Sequence, residues 1–87
     1  MTLLTKPLAD QHGQPTPGTR LASPAEIGAL IRERRKDMKL TQAGLAGISG
    51  VSHKFVNEVE RGKATAEIGR IMAVLQMLGV DLYGRVR

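Results

Sequence analysis

Ser52, His53, Lys54 and Asn57 crowd into one short stretch, and Arg61 follows Asn57 one helical turn later. Wound as a helix, the stretch places His53, Lys54, Asn57 and Arg61 along one arc and Val56 and Val59 on the opposite side. Asn57 carries a donor and an acceptor in one planar amide, Ser52 and His53 give or take hydrogen bonds, and Lys54 and Arg61 only donate. This is the chemistry of recognition. Bond-breaking chemistry lacks its parts: there is no cysteine, and the two histidines, His12 and His53, stand alone. The chain has no phosphate-binding glycine loop, no paired-histidine metal motif and no Ser/His/acid set that suggests a nucleophile and its base. Neither an enzyme nor a metal or cofactor site is expected. A solvated helix face would use the same polar residues, so the elements behind them decide.

Those elements are two short helices around a tight turn. Thr41 is a good N-cap for a helix from Gln42 to about Ile48, and Ser52 caps a third helix that ends before Gly62. Counting Gln42 as the first position, a small residue is needed at the fifth, where two such helices cross, and Ala46 is there. A residue tolerating positive φ is needed at the ninth, where Gly50 stands, and buried aliphatics at the fifteenth and eighteenth, where Val56 and Val59 stand. Leu45, Ile48 and Val51 are expected to complete a small aliphatic core. This spacing is the requirement of a helix-turn-helix, whose first helix braces the second in a major groove of duplex DNA. Ser52, His53, Lys54 and Asn57 then become candidates for base readout, with Asn57 suited to a bidentate pair with adenine and Lys54 to guanine acceptors or a phosphate. Thr41 and Gln42, at a helix N-terminus, and Arg61 and Lys63, past the third helix, are candidates for backbone phosphates. Arg32, Arg34, Lys36 and Lys39 rank below them as solubilising charges. Phe55 could touch a thymine methyl or a protein partner, but packing on the domain edge is preferred.

Ser23, Pro24 and Glu26 open a first helix, expected from Pro24 to Met38, with Ile27, Leu30, Ile31 and Met38 at helical spacing. Arg35 falls on the same apolar face, where an unpaired charge is costly. Glu60, on the shoulder of the third helix, is its expected structural partner. Gly44 and Gly47 inside the second helix each cost about 1 kcal/mol relative to alanine, so tertiary packing must hold that helix. A fourth helix is expected over 66–78, with Ile68, Ile71, Met72, Leu75 and Leu78 on one face and Gly79 as terminator. Val80 to Tyr83 alternate apolar and polar residues, as a short strand would.

The whole chain has 87 residues, 13 Lys+Arg against 8 Asp+Glu, and a net charge of +5. That length fits one small domain. The division expected is an N-terminal arm over 1–22, rich in proline and glycine and flexible, a domain over 23–79, and a C-terminal dimerisation tail over 80–87. The first residues are too short in apolar run for a signal peptide, and no stretch approaches a membrane span, so a cytoplasmic location and no membrane partner are expected. Residues 20–63 hold nine Lys/Arg against five Asp/Glu, whereas 64–84 hold one against two. Most of the positive excess thus belongs to the first three helices.

Leu40-Thr41-Gln42-Ala43-Gly44-Leu45-Ala46, the Gly50-Val51-Ser52 turn and Val59-Glu60-Arg61-Gly62 resemble the phage-repressor, Cro-like (XRE) helix-turn-helix family over about residues 24–79. The Ser23-Pro24 start, the 31–36 stretch and the 75–82 segment look most like HipB-type antitoxins. The resemblance implies an all-α, four-helix repressor-like fold, base contacts at the positions named above and an Arg35–Glu60 bridge. It further implies a nucleoid-associated homodimeric repressor that binds palindromic double-stranded operator DNA, represses its own operon and partners a HipA-like kinase toxin. In such a dimer the two recognition helices lie about one duplex turn, ~34 Å, apart. The interface is expected from Leu75, Leu78, Val80, Leu82 and Tyr83, the last segment pairing with its symmetry mate. Two other readings stay open: a stand-alone repressor, and a basic protein-interaction module in which DNA binding is secondary.

Overall fold

A computed structural model describes residues 18–87, so most of the arm expected over 1–22 lies outside the described residues. Four helices follow in order: α1 (Pro24–Asp37), α2 (Gln42–Ser49), α3 (His53–Glu60) and α4 (Ile68–Met77). The expected caps start the first three. Ser23 Oγ accepts from the Glu26 N–H at 3.2 Å and the Glu26 carboxylate takes the Ala22 N–H; Thr41 Oγ1 accepts from Gly44 at 2.9 Å, and Ser52 Oγ from Phe55 at 3.0 Å. α4 begins later than expected because Glu67, whose carboxylate accepts the Arg70 N–H at 3.0 Å, serves as its N-cap.

Each helix is followed by a residue in left-handed conformation. Gly50, Gly62 and Gly79 have φ of 74°, 86° and 71°, and Lys39, after α1, takes φ 61° without being glycine. The bonds around Lys39 explain how: its N–H donates to the Lys36 carbonyl at 3.0 Å and that of Leu40 to Arg35 at 3.1 Å. Two otherwise orphaned carbonyls are satisfied, which offsets the roughly 1 kcal/mol cost of the conformation.

The core gathers Ile31 of α1, Leu45 and Ala46 of α2, Phe55, Val56 and Val59 of α3, and Ile71, Val74 and Leu75 of α4 with Leu78 just past its end. Phe55 packs there, as preferred from sequence. Gly28, buried within α1, permits the closest crossing, because a methyl in its place would sit 2.2 Å from the Val59 carbonyl oxygen and 2.9 Å from that of Glu60.

Three apolar expectations are corrected. Ile48, expected in the α2–α3 core, is 48% exposed, and Ile68 and Met72, expected on the buried face of α4, are 62% and 53% exposed. The buried stripe of α4 runs through Ile71, Val74, Leu75 and Leu78; Met72 is rotated about 100° from Ile71 and falls off it, and Ile68 projects from the first turn. Leu75 and Leu78, expected at a dimer interface, are fully used by the core of the single chain. Among the described residues there is no strand: after the Val80 N–H caps the Leu75 carbonyl at 2.9 Å, residues 81–87 run on without regular structure and exposed.

Candidate nucleic-acid interface

α2, the Gly50 turn and α3 form the surface that the spacing predicts. Apart from its own chain neighbours, no heavy atom lies within 4 Å of where a Gly50 Cβ would stand, so glycine is there for its backbone conformation and not for space. Ala46 is buried where α2 meets α3, and Val56 and Val59 face inward. The other side of α3 therefore looks outward. Ser52, His53 and Lys54 are exposed on its first turn, and Asn57, one turn on, is half-buried.

Asn57 and His53 are tied to the start of α2. The Asn57 amide Nδ2 donates to Gln42 Oε1 at 3.2 Å, and His53 Nε2 lies 3.1 Å from the same oxygen. Gln42 Nε2 donates in turn to Glu60 Oε1 at 3.0 Å. Behind it, Arg35 Nε and Nη2 donate to the two Glu60 oxygens at 2.6 and 3.1 Å, and Arg35 Nη1 to the Leu40 carbonyl at 2.8 Å. The expected Arg35–Glu60 pair is thus present as a fork, with side chains only 10% and 3% exposed. Burial pushes the Glu60 carboxyl up, but hydrogen bonds from Arg35 and Gln42 and the charges of Arg35 and Arg32 outweigh it and hold the group below its usual range. The Glu60 hydrogen bond likewise raises the Arg35 guanidinium, against the opposing effect of burial.

The phosphate candidates divide. Thr41 and Gln42 stand at the α2 N-terminus, where the Thr41 cap takes the Gly44 amide and the first amides of the helix have no partner within it. Arg61 is exposed beside the end of α3. Lys63 Nζ, however, donates to Glu58 Oε1 at 3.1 Å, in a surface pair whose side chains are 46% and 31% exposed. Such pairs are worth about 0–1 kcal/mol, so the lysine can be exchanged to another anion at small cost. Arg34, ranked among the solubilising charges, instead donates from Nε to the Leu78 carbonyl at 2.9 Å and fastens α1 to the end of α4. The sequence signal for that role was weak, since an arginine three or four residues from an apolar stripe has many possible partners. Gln42 as the hub was not foreseen either; its position at the helix start suggested only a phosphate donor.

No described group of three His, Cys, Asp or Glu residues could hold a metal ion, and no described helix is long and apolar enough to cross a membrane.

A family model described as "Helix-turn-helix" matches residues 31–84. The chain belongs to that family. Within it, the chain is 48% identical over 63 residues to an uncharacterised HTH-type transcriptional regulator, y4mF, of Sinorhizobium fredii, covering 72% of this chain and 83% of the relative. It is 26% identical over 57 residues to the ImmF control region 10 kDa protein of Bacillus phage phi105, covering 66% and 63%. This helix-turn-helix regulator has the XRE-type organisation that its 40–62 pattern resembles. Its fold is that of HipB: a "HipB-O4 20mer complex" gives a TM-score of 0.73 at 17% identity, covering 79% of this chain and 97% of the other. A "HipA-HipB-O2-O3 complex" gives the same score, identity and coverage.

Proposed function

We propose that the chain is a sequence-specific repressor that binds palindromic double-stranded operator DNA as a homodimer in the cytoplasm, on the nucleoid. The observation that carries this is the outward face of α3, where Ser52, His53, Lys54 and Asn57 stand beside the open N-terminus of α2. Thr41, Gln42 and Arg61 hold the flanking phosphates in this reading, and Lys63 joins them by leaving Glu58. In this reading the arrangement binds and orients. Selection from a pool of random duplexes tests it: one palindromic motif is expected to be enriched, with Asn57→Ala lowering specific affinity by about 1–3 kcal/mol and nonspecific affinity far less. A pool that stays random, with equal losses on all duplexes, favours a basic interaction module.

The dimer is assigned to the far side of the molecule. Val80, Leu82 and Tyr83 remain candidates there, now joined by Met72 and Met77 of α4 in place of Leu75 and Leu78. In a dimer the Val80–Tyr83 segments of two copies pair as a ribbon. Removing residues 80–87 is expected to give monomers in analytical ultracentrifugation.

The finer reading is a HipB-like antitoxin that represses its own operon and binds a HipA-like kinase. The shared HipB fold and a solved HipA–HipB assembly support it. Co-expression with a kinase-like protein encoded beside this gene, if one is present, should give a co-purifying complex; without such a neighbour or complex, a stand-alone repressor is the better reading.

A further inference from the structure

Four polar side chains form an unbroken line from the sealed α1–α3 crossing to the outward face of α3, and their donor and acceptor roles are not interchangeable. Glu60, forked to Arg35, is ionised and can only accept hydrogen bonds. Gln42 must therefore turn its NH₂ toward Glu60, as its 3.0 Å contact has it, and this leaves its oxygen facing α3. That oxygen can only accept. Asn57 must in turn present its NH₂ to Gln42, at 3.2 Å, and the His53 ring nitrogen 3.1 Å away must carry a proton.

We propose that Gln42 is a positioning residue for specificity, transmitting the charge of the buried Arg35–Glu60 pair into the sense in which Asn57 presents its amide to a base. An asparagine amide that is free to flip offers donor and acceptor in either order and so matches two arrangements of base-edge groups. With one Nδ2 proton committed to Gln42, the other Nδ2 proton and Oδ1 keep a fixed order, which suits one orientation of an adenine edge. The same bond fixes His53 as a donor through Nε2, so that a neutral ring turns an acceptor, Nδ1, to its other side. A helix face that would otherwise read ambiguously acquires a polarity. This assignment rests on the DNA reading above and goes beyond a phosphate contact by Gln42, which would fix position without carrying sequence information.

The test uses the full chain and the variant Gln42→Met, which keeps the side chain's length and removes both amide groups. In ¹⁵N-resolved NMR of the free protein, one of the two Asn57 side-chain amide protons is expected to exchange with water more slowly than the other, and Gln42→Met should abolish the difference. Equal exchange in the unmodified chain overturns the relay without recourse to any variant. On duplexes enriched by the unmodified chain, Gln42→Met should lose at least about tenfold more affinity than it loses on random duplexes, at the scale of one bidentate contact. Equal losses on both, with the salt dependence unchanged as expected for a neutral side chain, make Gln42 a phosphate contact and overturn the assignment while leaving the DNA reading intact. An unmodified chain that discriminates among no duplexes overturns the DNA reading, and this assignment with it.

Discussion

The crossing of α1 with α3 and the outer face of α4 make opposite use of the same short chain. At the crossing, backbone meets backbone at Gly28, and a forked ion pair lies buried with its hydrogen bonds taken by Leu40 and Gln42. On α4 the buried stripe is narrow, and Met72 and Met77, together with Leu82 and Tyr83 of the tail, are left in contact with water. Polar groups are sealed in at one end while apolar groups are left out at the other. Charges at the crossing would cost desolvation were they not paired with each other, and the exposed apolar residues of α4 and the tail are the ones proposed above for a dimer. The sealed side is tied through Gln42 to the face of α3 proposed for DNA, and the exposed side is the one proposed for a second copy.

The contrast can be broken first at its ionic end. Glu60→Gln leaves Arg35 buried without its counter-charge and is expected to cost about 3–5 kcal/mol in chemical denaturation. Acid should act on the same pair. The folded Glu60 titrates below its free value of 4.5, so its contribution is fully present above pH 4.5 and is lost as pH falls through the lower folded value. Stability measured against pH should fall in that acidic range for the native chain and less steeply for Glu60→Gln.

Gly28→Ala attacks the crossing through shape alone. Its methyl would lie far inside contact distance of two backbone carbonyls that cannot rotate away, and a loss of about 3 kcal/mol is expected in thermal or denaturant unfolding. On α4, Met72→Glu should leave the folded chain's helicity by circular dichroism unchanged but weaken the proposed self-association at least tenfold, measured by ultracentrifugation, because it would put an unpaired charge into the apolar contact proposed there. A dimer indifferent to Met72→Glu would remove α4 from the interface. The smallest effect distinguishes two helical glycines. Gly47 has open space around its missing side chain, unlike Gly28, so Gly47→Ala should raise stability by about 1 kcal/mol in the same unfolding assay.

Those two glycines also mark where the sequence stops being informative. Local signals were legible: Ser23, Thr41 and Ser52 start their helices, Gly50, Gly62 and Gly79 end theirs, and the Ala46–Gly50–Val56–Val59 spacing places α2 against α3. So was the Arg35–Glu60 pair, since a charge on an apolar stripe demands a partner. What escaped depends on distance between elements. A glycine inside a helix reads as a propensity defect whether or not a carbonyl from 31 residues away presses on it, as Val59 does on Gly28. Ile48, Ile68 and Met72 follow the helical period well enough to read as buried, but burial is decided by where the partner helices end. Lys39 shows the reverse case, a left-handed residue that no glycine announces.

Arg34 holds the carbonyl of Leu78, the residue that caps the end of α4, and this makes α1 a bracket for whatever leaves the domain after Gly79. A tail hung from a frayed helix would swing, and two copies joined through it would hold their reading faces at no fixed separation. Hung from a carbonyl pinned to the opposite helix, it departs in a direction that the folded domain dictates. The spacing between two half-sites on DNA would then be a property of the joint, set by one guanidinium as firmly as by the surfaces that meet beyond it.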